Sequence, residues 1–364
     1  MDFKFYSLNE LVKIRYGKNQ KKVEDPNGNY PIYGTGGLMG YSDEFLYDKP
    51  SVLIGRKGSI DKVKYIDKPF WTVDTLFYTE VNENKVLPKY LYYLMSLLNL
   101  SSYNEGTSIP SLRTETLYKI DLNIPPIQYQ KQVLKILNAI DSKIEINNKI
   151  NNNLEQLTES IFKNWFVKCE PFKNENFIEH SWTNFPESWE LIRLKDIIHI
   201  TSGKRPGDKQ DLKNNKFIYP LYGASSIMGY VSEYSYNEPI LLIGRVGTLG
   251  IVQRVLDKCH PSDNTLVIKS KYYEYIFQIL KRINYDAYNT GSTQPLITQK
   301  AISNIEIPLP PQKELDKFEK ISSTLYSEVY KNKKEIETLT KLRDTLLPKL
   351  MSGEIDVSNI NFDL

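Results

Sequence analysis

Residues 130–165 read QKQVLKILNAIDSKIEINNKINNNLEQLTESIFKNW, with no glycine or proline inside. Steps of three and four pick out Val133, Leu137, Ile140, Ile144, Asn147, Asn151, Leu154, Thr158, Ile161 and Trp165. This is a heptad-like seam with asparagines near its centre. About 36 residues at 1.5 Å each predict a rod of roughly 54 Å, longer than an ordinary globular helix. A half-apolar face of that length requires a partner.

The same spacing returns near the other end of the chain, through Phe318, Ser322, Leu325, Val329, Asn332, Ile336, Leu339, Arg343, Leu346 and Leu350. Asn147 and Asn332 hold the same place in the two seams. Antiparallel pairing with these asparagines level sets Ile140 against Leu339, Leu154 against Leu325 and Ile161 against Phe318, every pair apolar. A buried asparagine pair costs stability but penalises slipped registers. The expected seam is therefore Leu137, Ile140, Ile144, Asn147, Leu154 and Ile161 against Phe318, Leu325, Asn332, Ile336, Leu339 and Leu346.

At 364 residues the chain is long enough for two or more domains. A net charge of +3 is only mildly basic, so a nucleic-acid surface must come from local clustering. Cys169 and Cys259 lie far apart without metal-ligand spacing, which suggests neither a disulfide framework nor a zinc site. The opening MDFKFYSLNELVKIRYGK has no uncharged apolar run, so it reads as neither signal peptide nor membrane span. A reduced, cytoplasmic, soluble protein with no membrane partner is the expectation.

Around the rods the chain says the same thing twice. Tyr33-Gly34-Thr35-Gly36-Gly37-Leu38-Met39-Gly40-Tyr41 returns as Tyr222-Gly223-Ala224-Ser225-Ser226-Ile227-Met228-Gly229-Tyr230. Ile54-Gly55-Arg56-Lys57-Gly58-Ser59 returns at the same offset as Ile243-Gly244-Arg245-Val246-Gly247-Thr248. Gly106-Thr107-Ser108 matches Gly291-Ser292-Thr293, and both copies meet prolines, Pro125-Pro126 and Pro310-Pro311, just before their rods. Drifting offsets elsewhere mark loop insertions between diverged copies, and two copies are too few for a solenoid. Short apolar runs such as Val52-Leu53-Ile54 and Leu241-Leu242-Ile243 predict strands, and Tyr90 to Met95 and Tyr273 to Leu280 predict amphipathic helices. The predicted class is α+β, with two similar globular domains separated by two long antiparallel helices and related by an internal pseudo-two-fold. The expected division is a first domain over 1–127, a helix over 128–168, a polar linker over 169–184, a second domain over 185–309, a helix over 310–353 and a tail over 354–364.

Catalytic constellations are missing. Gly34, Gly36 and Gly37 follow no Rossmann pattern, and Ser202-Gly203-Lys204 lacks the first glycine of a phosphate loop, since Ile198 stands there. His180, His199 and His260 have no paired spacing. No Asn-Pro-Pro-Tyr signature of an amino-methyltransferase occurs; Ile124-Pro125-Pro126-Ile127 lacks its asparagine and aromatic.

What the copies do repeat is donors on glycine turns. Lys18, Asn19, Gln20, Lys21 and Lys22 follow Gly17, as Lys204 and Arg205 follow Gly203. Arg56, Lys57 and Ser59 surround Gly58, as Arg245 and Thr248 surround Gly247, and Ser108 to Arg113 parallels Thr293 and Gln294. Lysine, arginine and hydroxyl groups beside free backbone N–H are what phosphate contact needs, and arginine, asparagine and glutamine can also read base edges. Each turn taken alone also suits a structural hairpin corner with solvated charge. Recurrence at equivalent places is what favours double-stranded DNA.

With these marks in order, the chain resembles a specificity subunit of a type I restriction–modification system. The resemblance covers nearly the whole chain. It is carried by Pro186-Glu187-Ser188-Trp189-Glu190 opening the second copy, by the Ile-Gly-Arg-x-Gly turns, by Ile307-Pro308-Leu309-Pro310-Pro311-Gln312, and by Leu346-Leu347-Pro348-Lys349-Leu350-Met351-Ser352-Gly353-Glu354-Ile355. It implies two target-recognition domains, each reading half of an interrupted DNA site. It also implies helices that set the spacer and dock two methyltransferase subunits, to which two restriction/motor subunits add. S-adenosylmethionine, ATP and Mg then belong to the partners, and this chain holds no cofactor, no metal and no catalysis. The first domain departs from the pattern by lacking a preamble like residues 185–189. Two other readings stay open on the residues: the recognition subunit of a motorless, type II-like restriction–methylation enzyme, and a structural coiled-coil assembly protein.

Overall fold

A computed structural model describes residues 2–180, 184–247, 249–291 and 294–358. It divides into two compact units, Met1–Asn147 with Lys334–Leu364, and Asn148–Lys333. Both cuts fall inside long helices, so each unit owns one globular domain and part of each helix.

The first unit contains β1 (Lys4–Ser7), α1 (Leu8–Leu11), β2 (Val12–Tyr16), β3 (Tyr30–Gly34), β4 (Gly37–Ser42), β5 (Ser51–Gly55), β6 (Val63–Ile66), β7 (Trp71–Thr72), β8 (Leu76–Val81), α2 (Pro88–Ser96), α3 (Thr114–Leu117) and β9 (Asp121–Ile124). One sheet has the order β2-β8-β5-β6 and is antiparallel throughout. Every residue of the central β5 is buried, as an unbroken apolar run predicts. A second sheet, β4-β3-β7, adds a parallel pair in which Ile32 faces Trp71. The ribbon β1–β9 pairs Lys4 with Ile124 and so clips together the places where the chain enters and leaves the domain. Proline at the first position of α2 presets the backbone for helix, and Tyr90, Leu91, Tyr93 and Met95 turn into the core with Val52, Ile54 and Phe77.

Helix α4 (Ile127–Phe162) begins two residues beyond Pro125, and its first turns hold the domain. The buried Gln130 amide accepts from the Leu87 N–H at 2.8 Å and donates to the carbonyls of Lys85 and Pro125, each at 2.9 Å. Farther along α4, Asp141 accepts from the Tyr93 hydroxyl and from Arg343 (3.3 Å).

The second unit repeats the plan. After α4 come a π-helical turn (Lys163–Val167), β10 (Phe177–Ile178), β11 (Phe185–Pro186), β12 (Glu190–Arg193), β13 (His199–Ser202), β14 (Tyr219–Tyr222), β15 (Ile227–Val231), β16 (Ile240–Gly244), β17 (Val252–Val255), β18 (His260–Pro261), β19 (Thr265–Lys269), α5 (Tyr273–Leu280), α6 (Gln299–Ser303), β20 (Glu306–Leu309) and α7 (Gln312–Ser352). The sheets β13-β19-β16-β17 and β15-β14-β18 and the ribbon β12–β20 match those of the first unit strand for strand. Residues 169–180, expected to be an irregular linker, contribute buried Cys169 and Phe172, and Phe172 lies edge-on to Trp189 at 5.3 Å.

Here the domain is fixed to α7. Glu319 accepts from the backbone N–H groups of Glu274 and Tyr275 at 3.1 and 2.7 Å, capping α5 from outside. Arg254 pairs with the buried Glu274 while its guanidinium lies 3.7 Å over the Tyr326 ring.

Within each unit the two long helices run antiparallel, but the level-asparagine register is corrected by about one turn. Asn147 donates to Glu335 at 2.7 Å, and Asn332 donates to the Asn151 carbonyl oxygen at 3.0 Å. The facing pairs that followed from levelling Asn147 with Asn332 go with it; Phe318 meets Phe162 and Phe166, at 5.7 and 5.2 Å between rings. Two asparagines one turn apart on α4 offered two registers. The one taken also sets Lys143 near Glu335 and Lys333 near Glu155.

Burial along the seam is uneven. Leu137, Ile140, Asn147 and Phe318 are buried, whereas Ile144, Leu154, Ile161, Leu325, Asn332, Ile336, Leu339 and Leu346 are half-buried. Phe162, Tyr326 and Leu347, outside the expected set, are buried instead. A straight helix drifts by roughly 20° per heptad against a strict seven-residue repeat, which moves the buried face one position over.

Candidate nucleic-acid interface

In the first unit the donor-bearing turns converge on one loop, residues 72–76, which joins β7 to β8. The Gly17 N–H donates to the Leu76 carbonyl (3.0 Å), and the Lys18 N–H donates to that of Thr72 (2.9 Å). A side chain at Gly17 would place its Cβ 2.0 Å from the Val73 carbonyl oxygen, so only glycine permits this approach. From the end of β5, the N–H groups of Arg56 and Lys57 both donate to Thr75, at 2.8 and 3.2 Å. The Arg56 guanidinium donates to the Asp74 carbonyl (2.9 Å) and lies 5.0 Å over the Tyr16 ring. A third segment closes the group: Gly58, at φ 86°, donates to Pro110 (2.8 Å), and Leu112 donates to Arg56 (2.9 Å).

The second unit repeats five of these backbone hydrogen bonds at equivalent places. Gly203 donates to Thr265 (3.0 Å), Lys204 to Pro261 (3.0 Å), and Arg245 to Asn264 (2.9 Å). Gly247, at φ 79°, donates to Pro295 (3.1 Å), and Ile297 donates to Arg245 (2.9 Å). A Cβ on Gly203 would lie 2.1 Å from the Ser262 carbonyl oxygen. The side-chain contacts differ. Where Arg56 stacks on Tyr16, Arg245 donates to Ser202 Oγ at 3.3 Å, and Gln299 donates to the same oxygen at 2.8 Å.

The candidate residues therefore fall into groups. Lys18, Arg56, Lys57 and Arg113 gather around residues 72–76 and 110–112, with Arg113 ion-paired to Glu105 at 3.0 Å. Lys204, Arg245 and Gln294 gather in the second unit, and Arg205 stands exposed beside Lys204. Lys21 and Lys22 are exposed on the turn after Lys18, Gln20 is half-buried, and the Asn19 oxygen accepts from the Lys21 N–H (2.9 Å), which fixes the turn. Ser59 and Ser108 are exposed; Thr248 and Thr293 lie outside the described residues. Tyr16, Ser202 and Gln299 carry no signal in the sequence, because their roles arise only from contacts between segments distant in the chain.

These clusters present cations and small donors on an open surface. A cavity of about 710 Å³ in the second unit is lined by Phe162, Phe166, Trp189 and Tyr275 among others, and by none of the basic-turn residues. On β6, burial and the neighbouring Lys62 hold the Lys64 ammonium below its ordinary range. Among the described residues no group of three or more histidine, cysteine or acidic side chains could hold a metal ion. No helix among them is long and apolar enough to cross a membrane.

Comparison with known proteins gives a consistent result. The family model described as type I restriction modification DNA specificity domain matches residues 1–156 and again 186–343. The chain is 28% identical over 347 residues to the type I restriction enzyme MjaIX specificity subunit of Methanocaldococcus jannaschii, covering 86% of this chain and 80% of that one. It is 23% identical to the HindI specificity subunit of Haemophilus influenzae, covering 78% and 81%. Among solved structures, the S subunit of a type I restriction–modification system from M. genitalium shares the fold, with a TM-score of 0.64, 20% identity and 96% of each chain covered.

Proposed function

The chain belongs to the type I restriction–modification DNA specificity family, and from that footing we propose how it selects DNA: each globular domain reads one half of a bipartite site. The turns carrying Lys18, Arg56 and Lys57 in one domain, and Lys204 and Arg245 in the other, hold the phosphates and set the register. Arginine, glutamine and serine side chains on the same turns read base edges. Because one chain supplies both readers, the half-sites are free to differ. The helices α4 and α7 set the distance between the halves and carry two methyltransferase subunits, to which two restriction/motor subunits add. Ile146, Ile150, Leu157 and Leu342, apolar yet 40–51% exposed on these helices, suit such docking. In this reading S-adenosylmethionine, ATP and Mg2+ are bound by the partners, and the chain itself performs no chemistry.

The observation that carries the reading is the duplicated cluster, the same backbone hydrogen bonds holding the same donor turns in two halves of one chain. Methylation mapping in a host carrying this chain with its methyltransferase tests it. A single motif with two specified halves around an unspecified spacer is expected. One continuous motif, or methylation independent of this chain, would overturn the reading.

A further inference from the structure

The hairpin β3–β4 and its counterpart β14–β15 share an irregularity of register. Ile32 faces Gly40 and the next residue, Tyr33, faces Leu38, so Met39 is the extra residue of a β-bulge. In the second unit Leu221 faces Gly229 and Tyr222 faces Ile227, which leaves Met228 as the extra residue. A bulge bends its strand and re-aims the side chain it releases. Met39 is 57% exposed and Met228 41%, and their neighbours Leu38 and Ile227 are 54% and 46% exposed. Each thioether rests over a glycine. A Cβ on Gly34 would lie 2.4 Å from Met39 Sδ, and one on Gly223 would lie 3.1 Å from Met228 Sδ.

Both hairpins are tied to the basic clusters. The Tyr33 carbonyl accepts from Val73 N–H (3.0 Å) and Thr72 Oγ1 (3.2 Å), on the loop that also receives Lys18 and Arg56. The Tyr222 carbonyl accepts from Ser262 N–H (2.9 Å), on the loop that receives Gly203 and Arg245. Around the tips stand polar donors. Lys64 Nζ approaches Gly37, and the Gln253 amide donates to the Gly223 carbonyl at 2.9 Å.

A singly exposed methionine is ordinary. Here the same residue type, released by the same bulge over the same glycine, recurs beside each cation cluster. Apolar side chains set among cations on a DNA-facing edge are the means by which proteins open base steps, and methionine is among those used. Its unbranched, polarizable chain adapts to whatever step it meets. Resting on the reading of two half-site readers, we propose that Met39 and Met228 are a pair of apolar wedges. Each presses into the base stack of its own half-site while the neighbouring basic turns grip the phosphates.

The test uses the full chain in complex with its methyltransferase subunits, on duplexes carrying its motif. 2-Aminopurine is placed in turn at each position of the two half-sites except the methylated base. The wild-type complex should brighten one step in each half. Met39→Ala should remove the signal from the first half only and weaken binding roughly tenfold, Met228→Ala should do the same in the second, and Met39→Leu should restore the first signal. Both positions are exposed, so the melting temperature of each alanine variant should stay unchanged. If no step brightens, or brightening and affinity survive both alanine substitutions, the wedge is wrong while the half-site reading stands. If the wild-type complex shows no salt-dependent binding to the duplex, both proposals fall.

Discussion

Arg56 and Arg245 occupy equivalent places yet are held differently, one over Tyr16 and the other on Ser202 Oγ. Removing either should weaken duplex binding by about 1–3 kcal/mol and lower the slope of log K against log salt by roughly one. Titration of the Arg56→Ala and Arg245→Ala complexes across salt checks this, and an unchanged slope would remove the arginine from the phosphate set. Gly17→Ala and Gly203→Ala should each cost roughly 2–4 kcal/mol, because the new Cβ meets a backbone carbonyl instead of a side chain that can move. Thermal melts of the two variants measure it. The glycines and the donors could be picked out in the sequence because they recur; the loops they bond to, residues 72–76 and 261–265, could not, because that contact is made between strands far apart in the chain. The bulged methionines lay inside a repeat plain in the sequence, but a bulge is a fact of pairing register and has no residue signature of its own.

At the level of the elements, Glu319 links α7 to the start of α5. Burial is the main cause that lifts its carboxyl to about 7, and the nearby Glu274 adds to it; the N–H groups of Tyr275 and Glu274 and the charge of Arg254 oppose it. A folded value above the ordinary 4.5 means that the folded unit binds the proton more tightly than the unfolded chain does. That contribution is complete below about pH 4.5 and declines as pH rises, until it is gone above about 7. Glu319→Gln should flatten the decline, with a gain of roughly 1–3 kcal/mol at pH 8 relative to the wild type. Hydrogen exchange at the Glu274 and Tyr275 amides from pH 5 to 8 reads it, and an equal pH slope in the variant would contradict it. The helices themselves were legible from their 3–4 spacing and proline boundaries. Their register was not, since Asn147 and Asn151 are equally good partners on paper. Glu335 and Asn332 together decide it, the carboxylate taking Asn147 and the amide taking Asn151.

On the scale of the molecule, a specificity subunit selects its site through geometry, so the predictions concern motif and spacer. Adding seven residues to each helix lengthens it by about 10 Å, close to 3 bp of duplex. If α4 and α7 set the spacer, methylation mapping of that variant should find both half-sequences kept and the spacer longer by about 3 bp. A return of the original spacer would refute the ruler. The two-copy plan was fully legible, because duplicated motifs in constant order leave few other architectures.

The central claim, one domain for each half of the site, is tested most directly by exchanging residues 1–126 for the matching domain of a relative with a different motif and mapping methylation with the same methyltransferase. Exactly one half of the motif should take the donor's sequence, with the other half and the spacer kept. A change in both halves, or in neither while methylation persists, would contradict it.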